Sequence, residues 1–483
     1  MPTSYDYDLL VIGSGPGGYV AAIRAAQLGQ RVAVVERGGV GGVCLNIGCI
    51  PTKALIKQAE IYRNIGRLES MGVRIDTSGF RYENVFNASR KAADTLSKGV
   101  AYLLKKNKIE LITASARLVS DHEASLSVID TPAVNDTVNR GGNTPGNRTL
   151  SARAIIIATG SRPKSVPGLE FDGKFILSSD DALMMKELPR RALIVGAGAI
   201  GAEFAHIMNA FGTEAHLVEM ADRVLPSSDG EAAALVRRSF MKRGIKVYTS
   251  STVSSYTVAD GSINAVITGS GGDTAVSVDK IFVMTGRAPN SEGIGLEKIG
   301  VGTAKGFIET GDYYQTKAGS VYAIGDVAAG APMLAHAASK QGEIAAEHIA
   351  GSTPAHPRVD PAGIPSVVYC EPSVAAFGLT EEQAPERWGA FVKAAFPFKA
   401  CGKAVAAEEA EGFVKILADP LTGLIAGAHI VGAGAAELIH ELLIARNSGL
   451  GVGALAGAMH AHPTLSEAVM EAARMIGGRA AHI

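Results

Sequence analysis

Two segments of this 483-residue chain repeat one arrangement of strand, glycine turn, helix and acid. In YDLLVIGSGPGGYVAAIRAAQLGQRVAVVER, Leu9–Ile12 is a short continuous apolar run, as expected of a buried parallel strand. Gly13, Gly15 and Gly18 follow as G-x-G-x-x-G, an apolar helix closes on Gly29, and RVAVVE reads as a second strand ending on Glu36. In RALIVGAGAIGAEFAHIMNAFGTEAHLVE the order returns with Gly196, Gly198, Gly201 and Glu219. Each acid stands 23 residues after the first glycine of its set (36 − 13 and 219 − 196). The glycines let the backbone approach a pyrophosphate, which then rests on the positive helix N-terminus, and the acid reaches a ribose hydroxyl. One such match would pass for an ordinary βα turn. Two at equal spacing predict two dinucleotides in one chain, and one passing electrons to the other explains why both are there. At the second site Glu219 hydrogen-bonds a free 2′-hydroxyl and repels a 2′-phosphate, so NAD is expected over NADP; Arg223, close by, pulls the other way.

The chain length suggests about three domains. A net charge of −1 and only 6% aromatic residues argue against nucleic acid, which is met by a basic excess or by stacking platforms. No apolar run reaches the roughly 18 residues of a membrane span. The acidic N-terminus MPTSYDYD runs straight into a strand, so neither a signal nor a transit peptide is expected, and the chain is placed in the cytoplasm, a reducing compartment.

Only four cysteines occur, and two of them, Cys44 and Cys49, share the stretch GGVCLNIGCIPTKA (41–54). Zinc needs about four ligands, usually as close pairs, whereas Cys370 and Cys401 are far apart and lack a neighbouring histidine pair. No metal is expected. Two inert buried thiols and a redox-active pair both remain open. In a regular helix, residues five apart rise about 7.5 Å and face different sides, while a disulfide needs Cα atoms within about 7 Å. A bridge here would require a distorted first turn, with the helix continuing after Pro51. Its N-terminus and Lys53 would both favour a thiolate.

These motifs, with ATGSRP (158–163), MTGRAPN (284–290), VYAIGDVA (321–328) and MHAHPTLSEAV (459–469), make nearly the whole chain resemble the FAD-dependent pyridine nucleotide–disulfide oxidoreductases. The resemblance implies an α/β fold, with two Rossmann-like dinucleotide-binding domains plus an α+β C-terminal dimerisation domain. The expected divisions are 1–160 for FAD and the redox disulfide, 161–285 for NAD, 286–352 for a central domain completing the FAD site, and 353–483 for the interface. It implies FAD at Gly13, Gly15, Gly18 and Glu36, completed by Gly325 and Asp326, and NAD at Gly196, Gly198, Gly201 and Glu219. Thr159, Gly160 and Gly286 fall in the family's cofactor motifs. Cys44–Cys49 is implied to be the redox disulfide, Cys44 toward substrate and Cys49 toward the flavin. Lys53 matches the lysine beside the reactive flavin nitrogen and Glu203 its ion-pair partner, with a solvated helix residue as the lesser alternative for Glu203. His462 and Glu467 match the family's acid–base pair; His460 has no assigned role.

Within the family, the branch that oxidises dihydrolipoamide with NAD⁺ fits best. Met220 and Pro226 stand where NADP-using relatives carry arginines, and the chain ends GGRAAHI without a further redox pair. A related flavin disulfide reductase acting on another small disulfide is the alternative. The implied partners are a second copy sharing the active site, and a lipoyl domain or free dihydrolipoamide, with a 2-oxoacid dehydrogenase or glycine-cleavage complex behind it. The departures are a short link from Glu36 to Gly41, a polar segment at 130–150 that reads as an extended loop or hairpin tip, and Cys401 and Lys403 in place of asparagine and arginine.

Overall fold

The computed structural model describes residues 4–129 and 148–483. The first apolar run forms strand β1 (Tyr7–Ile12), followed by helix α1 (Pro16–Gln27) and strand β2 (Val32–Glu36). Leu9, Leu10 and Val11 are fully buried, because strands 32–36 and 152–157 flank β1 in parallel. Glu110–Thr113 extends this sheet beyond β2, and Val321–Ala323 joins its other side against Ile155–Ile157. Residues from late in the chain therefore complete the first sheet.

The second sheet repeats the plan. Arg191–Val195 lies between Glu214–Val218 and Lys280–Val283, with Lys246–Tyr248 and Ile176–Leu177 outside them, all parallel. In both sheets the first strand of the fingerprint sits where strand order reverses, the crevice in which open α/β sheets bind ligands. Two short strands, Ser161–Pro163 and Arg287–Pro289, pair antiparallel where the chain enters and leaves this unit.

The C-terminal part is a five-stranded antiparallel sheet covered by helices Ala435–Asn447 and Ser466–Ile476. Its core includes Phe396, Phe398, Ile416 and Ile439, each at most 1% exposed.

One expectation needs correction. The helix expected after Pro51 begins at Cys49 itself: helix α2 (Gly42–Ile47) carries Cys44, the chain breaks at Gly48, and helix α3 (Cys49–Arg63) follows. Of the polar segment 130–150, residues 130–147 lie outside the described residues, while Arg148–Leu150 belong to a strand that pairs antiparallel with Glu123–Ser127.

Candidate active site

The two glycine loops match residue by residue. A Cβ on Gly13 would lie 2.4 Å from Ala158 O, and one on Gly196 would lie 2.7 Å from Met284 O. On Gly18 and Gly201 it would meet the carbonyl of the first glycine at 2.0 and 1.8 Å, so both helices press against their own turns. Gly15 and Gly198, between them, face open space. Each is the N-cap of its helix, without a side-chain cap or an acid in the first turn. The first-turn N–H groups are thus left for an anion, and the cradle fits a pyrophosphate. Glu36 accepts from Ser14 N (2.7 Å), Ser14 Oγ (2.8 Å) and Gly38 N (2.6 Å). Glu219 does the same for Ala197 N (2.7 Å) and Ala221 N (2.9 Å). Arg223 is turned to Glu382 at 2.9 Å.

Each parallel sheet also brings a Thr-Gly loop to its fingerprint. Thr159 Oγ1 donates to Asn290 O (2.7 Å), and Asn290 Nδ2 returns to Thr159 O (2.9 Å). This exchange ties ATGSRP to MTGRAPN. Gly160 and Gly286 both face open space. Asp326 Oδ2 accepts from Ser161 Oγ (2.6 Å), and Gly325 N donates to the buried Gln341 (2.7 Å).

The cysteine helices lie on the first loop. Gly42 packs onto Gly15, where a Cβ would come within 2.7 Å of its Cα, and Gly41 N donates to Ser14 Oγ (3.1 Å). Gly48 makes the break between α2 and α3 possible, since a Cβ there would meet Val43 O at 2.8 Å. Cys44 and Cys49 are free thiols, Cys44 half-buried and Cys49 exposed at the first position of α3. The hydrogen bond from Cys44, aided by the nearby Lys53 ammonium, lowers Cys49 to about 7 against partial desolvation of the sulfur by the protein around it and against the Glu203 carboxylate. That same hydrogen bond, with burial, pushes Cys44 up. A thiol with depressed pKa beside a second thiol is equipped for exchange.

Glu203 is not a solvated helix residue: it is 5% exposed and receives Lys53 Nζ at 2.9 Å on both carboxylate oxygens. The pair is thus compensated in its burial. At the other end of the chain, His462 Nδ1 is 2.9 Å from Glu467 Oε1, and Glu467 Oε2 accepts from Thr464 N (2.9 Å). The Thr464 amide, with His462 behind it, holds the Glu467 carboxyl below its usual range. The imidazole remains 75% exposed, so its second nitrogen is open to an incoming group. No hydrogen bond or ion pair joins His462 to either cysteine among the described residues.

Residues 7–342 match the family described as pyridine nucleotide-disulphide oxidoreductase, and residues 364–473 match the dimerisation domain of that family. The chain belongs to this family. Curated relatives named dihydrolipoyl dehydrogenase are 41% identical: one from Bacillus subtilis over 99% of each chain, and one from Rhizobium etli over 98% of each. Among solved structures, LpdA from Mycobacterium tuberculosis aligns with a TM-score of 0.86 at 26% identity, covering 97% of this chain and 99% of its own. The flavoprotein disulfide reductase RclA from Escherichia coli shares the fold, with a TM-score of 0.83 at 23% identity over 98% of this chain and all of its own.

In this pyridine nucleotide-disulphide oxidoreductase the other two thiols are buried. Cys370 donates to Pro372 O (3.2 Å) and is pushed up to about 12 by burial; Cys401 donates to Thr464 O (3.4 Å). Among the described residues no cluster could hold a metal, and no helix is long and apolar enough to cross a membrane. His460 is enclosed too, its Nε2 2.6 Å from Glu441. Sequence reasoning missed Ser14, Asn290, Gln341 and Tyr369. Asn290 closes a motif already recognised, so its position was a usable signal. Tyr369 had none: it meets Glu203 through a backbone N–H, a group every non-proline residue carries.

Proposed function

We propose that this oxidoreductase oxidises dihydrolipoamide and reduces NAD⁺ through Cys44, Cys49 and FAD. The observation that carries the reading is the Cys49 thiol at the head of α3, beside a lysine fixed by a buried carboxylate. The names of the full-length relatives support the choice of dithiol. Gly13, Gly15, Gly18, Glu36, Gly325 and Asp326 would hold FAD, and Gly196, Gly198, Gly201 and Glu219 would hold NAD⁺. Thr159, Gly160 and Gly286 line their approaches. The four-part division at 160, 285 and 352 belongs to the same reading.

Glu467 fixes Nδ1 of His462, which leaves Nε2 to take a proton from a substrate thiol. The thiolate attacks Cys44 of the oxidised pair. One S–S bond forms, the Cys44–Cys49 bond breaks, and Cys49 leaves as the thiolate. Its charge faces Lys53 and the N–H groups of the first turn of α3. His462 passes this first proton to solvent and takes the proton of the second substrate thiol. That second thiolate closes the lipoyl disulfide and releases Cys44, which receives the proton from His462, so that one proton is released overall. FAD, when bound, supplies the path by which the electron pair reaches NAD⁺.

A homodimer follows from the dimerisation domain, and we infer that His462 serves the cysteines of the other subunit. Its exposure and its distance in the chain from Cys44 support this. We place the enzyme in the cytoplasm, serving a lipoyl domain of a 2-oxoacid dehydrogenase or glycine-cleavage complex or free dihydrolipoamide. The deciding experiment measures NADH oxidation by the holoenzyme with lipoamide, glutathione disulfide and other small disulfides. Lipoamide should give the highest kcat/KM. A higher value with another disulfide would assign the enzyme to that substrate instead.

A further inference from the structure

Tyr369 follows the edge strand Ser366–Val368 of the C-terminal sheet, yet it lies against a pair formed by α3 and the helix Ala199–Ala210. Its N–H donates to Glu203 Oε1 at 3.0 Å, and its ring centroid is 4.7 Å from Lys53 Nζ. An ammonium has three donors. Lys53 spends its hydrogen bonds on the two oxygens of Glu203, and the ring covers another side of the charge. Among the described residues the Tyr369 phenol oxygen makes no hydrogen bond, so the ring face is the functional part.

We propose that Tyr369 is a positioning residue that acts through Lys53: its ring holds the ammonium beside the Cys49 thiol, so that this sulfur ionises more readily. The proposal deepens the reading above and rests on Cys49 and Lys53 acting as placed there. An aromatic face attracts a cation by its quadrupole and excludes water from one side of it. Both effects strengthen the attraction between Lys53 and a thiolate, because the local dielectric falls. The groups facing Cys49 are Cys44 from α2, Lys53 from its own helix, Glu203 from Ala199–Ala210, and Tyr369 itself. Glu437 faces Tyr369 from the helix Ala435–Asn447. Glu203 keeps its bond to the residue 369 amide whatever side chain stands there, so substitution isolates the ring.

The test follows the rate of Cys49 alkylation by iodoacetamide against pH, in flavin-loaded dimers carrying Cys44→Ser so that one thiol titrates. Tyr369→Leu should raise the midpoint by about half a pH unit, and Tyr369→Phe should leave it in place. In a Lys53→Gln background Tyr369→Leu should no longer shift it, since the coupling needs the ammonium. If the leucine variant does not fold, Tyr369→Met is read in the same way. An equal shift in the phenylalanine and leucine variants, a shift that survives Lys53→Gln, or no shift in a folded variant overturns the proposal. The titration uses no dithiol substrate. Loss of the lipoamide assignment would therefore appear in turnover alone and leave this result to stand or fall separately.

Discussion

At the scale of single residues, a carboxylate accepts backbone hydrogen bonds at each glycine loop. Glu219 holds the amides of Ala197 and Ala221 and so presents a fixed negative charge at the edge of the second loop. Arg223, a nearby cation that could offset it, is engaged by Glu382 and Asp222. Glu219→Ala should therefore lower the ratio of kcat/KM for NADH over NADPH by about tenfold, mainly by relieving repulsion of the 2′-phosphate. Steady-state kinetics with both nucleotides checks this, and an unchanged ratio would place discrimination elsewhere. Both acids were legible from spacing alone, because strand length and turn length fix where the side chain emerges. Tyr369 was not, since its position depends on a sheet built from the other end of the chain.

At the scale of elements, the break between α2 and α3 places one thiol on each helix. Gly48→Ala would push its Cβ against Val43 O and Cys44 Cα, which lie 2.8 and 3.2 Å away. The backbone must shift there, so a stability loss of about 1–3 kcal/mol is expected. The melting temperature should fall, and turnover should fall further because the thiols lose register. Full turnover in Gly48→Ala would show that the break is incidental. The sequence pointed to a distorted first turn with the helix continuing after Pro51; the close approach of residue 48 to the preceding helix cannot be read from a linear pattern.

The helix Ala199–Ala210 carries a second buried group, His206, which is 2% exposed and accepts from Arg243 at 3.0 Å. Burial first, then the charges of Arg243 and Arg63, lower it from 6.5 to about 3. Unfolding lets it take up a proton below about pH 6.5. Its contribution to stability is thus complete above that pH and is lost as the pH falls toward 3, by up to about 3 kcal/mol at pH 4. The acid limb of the melting curve should flatten in His206→Asn, as followed by thermal denaturation between pH 7 and 4. An unaltered limb would mean that other groups carry the acid sensitivity.

At the scale of the whole molecule, the chain builds two parallel sheets with matched glycine loops and a C-terminal unit whose loop before Ser466–Ile476 leaves His462 exposed. A C₂ interface creates each shared site twice. Mixing inactive Cys44→Ser and His462→Ala chains under subunit exchange should restore about half of wild-type activity per heterodimer, since one of the two sites then carries no lesion. Verified heterodimers that stay inactive would show that His462 acts within its own chain. The repeated sheet plan was legible because each fingerprint brings its own strand order. The resemblance implied that Gly325 and Asp326 complete the first site, but the joining of Val321–Ala323 to its sheet was not foreseen, as nothing in three apolar residues names their neighbour. The most direct test of the central claim is anaerobic mixing of the oxidised holoenzyme with dihydrolipoamide, followed by NAD⁺, with the long-wavelength thiolate–flavin band monitored. The account predicts that wild type develops the band before any NADH forms and loses it as NADH appears. When the flavin is poised by direct preparation of the thiolate forms, Cys44→Ser should retain the band and Cys49→Ser should lack it. NADH formed by Cys49→Ser at the wild-type rate, or a band that requires Cys44 and not Cys49, would contradict it.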